Sequence, residues 1–251
     1  MNIEQTKVEQ QDSLRELWQE AFGDPDGFPE LFFETGWSQQ RSRCAVVEGK
    51  LAAALYWFDC GLEGEKIAYI YAVATGEQFR RQGICRALME DTHRLLKRMG
   101  YAGAVLVSAE GLFGMYEAMG YRVCSRILEF TCSAGKVPAE LTPLTKEKYA
   151  LQRRKLLPQG AVLQEGKNLD FLEGFARFYG GEGFLLAGAA EDGVFYGAEL
   201  LGDVAAAPGV LKSLGCTVGH FRGPGEGRDF AMYLPLRENA PVPKYFGLAF
   251  D

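Results

Sequence analysis

The stretch Arg80-Arg81-Gln82-Gly83-Ile84-Cys85 has the residue types for holding a phosphate. A helix N-terminus presents unsatisfied N–H groups and partial positive charge, so a phosphate can dock there if the backbone is approachable. Gly83 supplies that approach, since it puts no side chain in the way. Between Arg80 and Arg98 the basic residues Arg80, Arg81, Arg86, Arg94, Lys97 and Arg98 are opposed only by Glu90 and Asp91, inside a chain of net charge −6. Charge alone favours a solvated helix face, but a strand, a glycine turn and a helix in succession reverse that preference toward a polyanionic ligand. Other nucleotide motifs are missing: neither G-x-G-x-x-G nor G-x-x-x-x-G-K-[ST] occurs. The glycine-rich run Gly223-Pro224-Gly225-Glu226-Gly227 leads into a strand-like segment and reads as a hairpin loop.

The elements that must position this stretch follow from hydrophobic periodicity. Leu14, Leu17, Trp18, Ala21 and Phe22 lie at helical spacing, with Asp12 or Ser13 as N-cap and Gly23 as terminator. Residues 24–27 form a turn, and Leu31, Phe32 and Phe33 continue a second helical segment. Two strands, 45–48 and 51–59, flank a hairpin turn at Gly49-Lys50. Residues 67–73 are apolar or aromatic on both parities, as in a central strand covered on both faces. A helix spans 83–99 and is closed by Gly100, a strand spans 104–107, and a short helix spans 112–119 before Gly120-Tyr121. This order predicts an α/β domain with a mixed, mainly antiparallel sheet flanked by helices over residues 1–132. Residues 133–145 read as a linker. Residues 146–251 read as a smaller α/β unit: a helix at 171–179, strands at 183–189 and 194–201 around Glu191-Asp192-Gly193, a helix at 206–214, and strands at 218–222 and 230–236.

At 251 residues and 47% hydrophobic content the chain can bury one large core or two modest ones. Its 27 Lys and Arg against 33 Asp and Glu argue against general affinity for nucleic acid or anionic membrane. The longest apolar run, residues 51–58, falls short of the roughly 20 residues that span a bilayer, so the cytoplasm is the expected compartment. Six cysteines without a C-x-x-C pair read as reduced thiols. His93 and His220 alone leave almost nothing from which to build a histidine metal site, and no metal is expected. Cys85 and His93, eight residues apart on one helix, would sit about 12 Å apart, too far for a nucleophile pair. A G-x-S-x-G elbow is absent as well.

Arg80-x-x-Gly83-x-Cys85 after an apolar strand, a helix carrying Leu88, a further strand and then Tyr116-Glu117-Ala118-Met119-Gly120-Tyr121 together resemble the GCN5-related N-acetyltransferases (GNAT). Their acyl-CoA motif is [QR]-x-x-G-x-[GA], followed after the next strand by Y-x-x-x-G-[FY]. The resemblance covers roughly residues 5 to 132, and Cys85 departs from it where Gly or Ala is usual. It implies acetyl-CoA as acyl donor, with the backbone of Val73 and Thr75 bonding the pantetheine arm as an added strand would. Arg80, Arg81, Gln82, Gly83, Ile84 and Cys85 would surround the pyrophosphate. It also implies direct transfer to an amine of a small molecule or peptide, with Tyr116 protonating the departing thiolate. The base is less defined: Glu110 is nearest in sequence, Asp59, Glu63 and Glu65 are alternatives, and a water chain could replace them all. Tyr56, Trp57, Tyr69 and Tyr71 could line an acceptor pocket or simply fill the core. The rival reading is a non-catalytic CoA-binding or regulatory module that keeps the cradle without turnover.

The later unit has no counterpart of Arg80-x-x-Gly83, so it is not expected to bind CoA. By the same resemblance it reads as a degenerate GNAT-like copy that shapes the acceptor cleft. The aromatic tail, residues 245–251, is expected to dock in the core or near that cleft.

Overall fold

The computed structural model describes residues 1–25 and 27–250; Asp26 of the expected 24–27 turn and Asp251 of the tail lie outside the described residues. The fold is mixed α/β, with mostly antiparallel strands flanked by helices, as the order of elements predicts. The chain forms two compact units, one from Met1–Arg122 with Met232–Pro241 and the other from Val123–Ala231 with Val242–Asp251.

In the first unit the elements run β1 (Asn2–Glu4), α1 (Gln11–Phe22), α2 (Phe28–Leu31), a π-helical turn (Phe32–Gly36), β2 (Ser42–Val47), β3 (Lys50–Leu62), β4 (Glu65–Thr75), α3 (Ile84–Arg98), β5 (Gly103–Val107) and α4 (Phe113–Glu117). Strands β1 to β4 pair antiparallel in sequence order, β5 joins β4 in parallel, and residues 232–235 lie beside β5. The β2–β3 turn falls one residue earlier than expected: Val47 pairs with Lys50, and Glu48 and Gly49 take φ of 50° and 78°. Two left-handed residues suit the twist of a two-residue hairpin. Gly23 closes α1 at φ 64° as expected, while the N-cap is Gln10, whose side chain makes no capping bond to the helix, in place of Asp12 or Ser13. Gly103 admits the Tyr233 phenol, which a Cβ there would strike at 1.9 Å.

Side-chain alternation along β3 and β4 sorts the core into two layers. On one face Ile84, Leu88, Met89 and Leu96 of α3 cluster with Leu55, Trp57, Ile70, Ala104 and Leu106. Burying each of these large side chains contributes about 1.5–3 kcal/mol, which is what keeps α3 on the sheet. On the other face Trp18 and Phe32 meet Tyr56 and Tyr71 at ring separations of 4.9 to 6.0 Å.

The second unit runs β6 (Arg122–Ser133, from Val123 on), β7 (Thr142–Leu144), α5 (Lys146–Leu156), β8 (Leu163–Gln164), α6 (Lys167–Phe175), β9 (Arg177–Gly181), β10 (Phe184–Glu191), β11 (Val194–Gly202), α7 (Ala207–Leu214), β12 (Val218–Pro224) and the first half of β13 (Arg228–Pro235). Its strands follow the order β13-β6-β12-β11-β10-β9-β7. Residues 127–133 pair along their whole length with β12, so their ladder bonds are made in this unit and the units part at residue 122, earlier than 132. The expected linker is a bound strap: Gly135 and Ala139 amides donate to Pro208 and Gly209 of α7, and Ser213 Oγ donates to Ala139 O at 2.6 Å.

Two further expectations change. The helix placed at 171–179 starts and ends earlier, because Ala176 turns extended and Phe178 enters a ladder between Leu144 and Ala187. The glycine run at 223–227 is no hairpin loop, since β6 lies between β12 and β13. There the chain passes over β6 so closely that a Cβ on Gly227 would sit 2.1 Å from Ile127 O. Helix α5 carries too few apolar residues for a periodic stripe and is tied instead by Arg153 to buried Glu199.

The tail docks in this unit. Tyr245, Phe246, Leu248, Ala249 and Phe250 are buried, Phe246 N donates to Ser125 Oγ, and Arg222 reaches Ala249 O at 2.6 Å. Glu199, fully buried, accepts both arms of Arg153 at 2.6 and 2.9 Å and the phenols of Tyr149 and Tyr245 at 3.0 Å each. All four oxygen-directed bonds are satisfied, which is the condition under which a buried ion pair is tolerated.

Candidate functional site

Strand β4 first pairs and then parts from its neighbour. Among the described residues its parallel ladder with β5 covers Ile67, Ala68 and Tyr69, so residues 70–75 have β3 on one side and no β5 ladder on the other. A bulge sits at this divergence: Tyr56 faces Tyr71 and Ala54 faces Ala74, leaving one extra residue on β4, with Ala72 at φ 48°. A left-handed alanine costs of the order of 1 kcal/mol, and bulges of this kind re-aim a strand next to a site. Nothing in the sequence marks it, because the residue is alanine and not glycine. Val73 and Thr75, both half-buried, lie on this splayed stretch.

Next comes the cradle. Gly83 is the N-cap of α3 at φ 77°, a conformation that favours glycine, and a Cβ built on it would meet nothing within 4 Å. The Cβ side of Gly83 is therefore open. Arg81 is left-handed as well, at φ 62°, so the chain turns sharply through Arg81, Gln82 and Gly83, all exposed. Successive amides in such a turn converge on one point, the arrangement that binds anions. Arg80 Nε donates to Thr75 O at 3.1 Å, tying the cradle back to the end of β4. Among the described residues Arg80, Arg81 and Arg86 make no ion pair, whereas Arg94 is engaged by Asp91, which also bonds Arg43. Ile84 is buried and anchors the first turn; Cys85 is half-buried, its thiol pushed up by burial against a smaller opposing effect of its Thr75 hydrogen bond.

Tyr116 lies on α4 and packs in the same cluster as Ile84 and Cys85. It is 6% exposed, and burial, followed by the neighbouring Cys85 thiol, raises its phenol well above 10, so it stays protonated and able to donate at neutral pH. The structure thus brings Tyr116 to the start of α3, where the sequence placed it only by motif order.

The carboxylates separate. Glu110 is exposed in the turn between β5 and α4 and makes no hydrogen bond or ion pair among the described residues. Asp59 is held by Arg41, Lys66 and the Tyr101 phenol, and Glu65 by Arg237 at 2.6 Å. Glu63 occupies the β3–β4 turn at φ 50°. Of the four aromatic candidates, Trp57 points to the α3 face and donates to Tyr101 OH at 3.1 Å, while Tyr56, Tyr69 and Tyr71 share the other face with Phe58. Sequence periodicity missed one pair: His93 Nε2 and Tyr121 OH are 2.8 Å apart, and the Tyr121 ring packs edge to face with Tyr116. The signal was the tyrosine at the last motif position.

Among the described residues no group of three or more His, Cys, Asp or Glu is arranged to hold a metal ion, and no helix is long and apolar enough to cross a membrane. In the second unit α7 begins at Ala207, capped by Ala206 without a side-chain bond, with Pro208 in its first turn, and it carries only Lys212 as a basic residue.

Residues 2–124 match the model of the Acetyltransferase (GNAT) domain family. Curated protein sequences yield no match. Solved structures share the fold: a GCN5-related N-acetyltransferase from Anabaena variabilis (TM-score 0.73, 13% identity, 94% of this chain and 73% of that one), one from Kribbella flavida (0.69, 15%, 94% and 72%) and Eis1 from Mycobacterium abscessus (0.68, 13%, 94% and 74%). The family match and the splayed β4 followed by a glycine-capped α3 agree, and residues 2–124 of this chain belong to the GNAT acetyltransferase domain family.

Proposed function

We propose that the chain is an acetyl-CoA-dependent N-acetyltransferase acting on an amine of a small molecule or peptide. One observation carries the reading: left-handed Gly83, its Cβ side open, caps α3 where β4 has left β5. The residues fit acetyl-CoA. Amides at Gly83, Ile84 and Cys85, with Arg80, Arg81 and Gln82 around them, meet a pyrophosphate, and the free edge of β4 at Val73 and Thr75 suits an extended amide-bearing arm.

Bound acetyl-CoA supplies a thioester acetyl group: the C–S bond breaks, a C–N bond forms, the amine loses a proton and the sulfur gains one. The protein's part is to hold both reactants together and place proton carriers. Tyr116, kept neutral by burial, holds the proton for the sulfur. Glu110, unengaged and exposed, takes the amine proton directly or through water. The second unit serves as a degenerate, GNAT-like partner without a phosphate cradle.

A non-catalytic CoA-binding module is the second reading, favoured by Cys85 in a position that Gly or Ala usually fills and by the absence of a buried carboxylate near Tyr116 among the described residues. CoA thiol release measured across an amine panel, with Tyr116→Phe as control, separates them. Turnover that falls in the variant supports transfer; tight acetyl-CoA binding with no turnover on any acceptor supports the module.

A further inference from the structure

Helix α4 is five residues long and lacks a side-chain N-cap, so by itself it would scarcely hold a side chain in place. Its anchoring comes from Tyr121. The Tyr121 amide donates to Tyr116 O at 3.1 Å, just beyond left-handed Gly120 at φ 97°. The two rings meet edge to face, with centroids 5.8 Å apart and planes at 72°. At its far end the Tyr121 hydroxyl bonds His93 Nε2 at 2.8 Å, and His93 stands on α3, the helix whose first turn is the phosphate cradle. Tyr121 is fully buried, as befits a phenol with its partner in place.

We infer that Tyr121, clamped to α3 by His93, is a positioning residue that fixes the Tyr116 phenol relative to the first turn of α3. This inference rests on the reading of Tyr116 as the proton donor. The geometry supplies a continuous brace: Gly83 and Cys85 at one end of α3, His93 further along it, then Tyr121, then the ring of Tyr116. Both members of the clamp are uncharged, since burial drives His93 down to about 4 and the Tyr121 phenol well up, so the brace places the donor without putting charge beside it. A displacement of the donor by a fraction of an ångström to 1 Å is enough to cost about tenfold to a hundredfold in rate.

Two variants test it, Tyr121→Phe, which keeps the ring and removes the hydroxyl, and His93→Gln, which keeps a hydrogen-bonding group. In protein carrying ¹³C-labelled tyrosine rings, Tyr121→Phe is expected to shift and broaden the Tyr116 resonance, and His93→Gln to do so less. Acetyl-CoA affinity by calorimetry stays within about twofold of the parent, because no cradle residue is touched. On the best acceptor of an amine panel, Tyr121→Phe lowers kcat about tenfold with KM for acetyl-CoA unchanged, and it costs little more when added to Tyr116→Phe. An unmoved Tyr116 resonance in both variants overturns the inference. So does a kcat loss of the same size in the Tyr116→Phe background, an outcome that leaves the transferase reading intact. Full activity in Tyr116→Phe alone counts instead against the donor role on which the inference rests.

Discussion

Acidification loads a proton onto His93 in the unfolded chain before it does so in the folded one. Burial, with Arg94 as the lesser cause, lowers the imidazole from 6.5 to about 4. Between those values the unfolded state binds more protons, so stability rises with pH and is lost as pH falls through that window. At about 1.4 kcal/mol per unit of displacement, the loss comes to roughly 3 kcal/mol by pH 4 and levels off below it. His93 is largely enclosed, so screening by solvent removes little of this. Only two histidines exist, which makes the assay direct: His93→Gln assigns the His93 imidazole resonance. The His93 midpoint should lie near 4. The unfolding free energy of the parent minus that of His93→Gln should shrink by about 3 kcal/mol from pH 7 to pH 4, carboxylate contributions being common to both. A His93 midpoint at or above 6.5, or a parent-to-variant difference that stays flat with pH, would refute the argument that desolvation governs this side chain.

Other consequences follow from single residues. Gly83→Val adds a side chain at φ 77° in open space, so the protein should stay folded at a cost of about 1–2 kcal/mol while CoA affinity falls at least tenfold by calorimetry. Tyr116→Phe should lower kcat by about 10² or more in thiol-release assays without changing acetyl-CoA binding. Glu199→Ala leaves Arg153 buried and unpaired and should destabilise the second unit by about 3–5 kcal/mol, read from protease resistance and urea unfolding.

Legibility in the sequence followed locality. Helices α1 and α3 were readable because their apolar spacing and terminal glycines, Gly23 and Gly100, act within one segment. The glycine cap of α3 was readable for the same reason: glycine at a left-handed N-cap leaves a mark that the preceding strand reinforces. The bulge at Ala72 left none, since the φ of 48° is imposed by the partner strand. Pairing across long separations was equally silent. The neighbour of β5 is drawn from residues 232–235, and β6 lies between β12 and β13, arrangements that hydrophobic runs do not encode. Tyr116 could be assigned only by motif order, and its burial beside Cys85 emerged from the fold. Sequence order ranks Asp59 and Glu65 behind Glu110 but does not show their cations, Arg41, Lys66 and Arg237, which only the fold supplies.

Calorimetric titration of CoA beside pantetheine, at moderate ionic strength, goes to the centre of the account. Pantetheine can still lie along β4 but has no pyrophosphate for the amides at Gly83. Saturable binding of CoA that is at least a hundredfold tighter than that of pantetheine is the expected result; no heat with CoA, or equal affinity for the two, would contradict it.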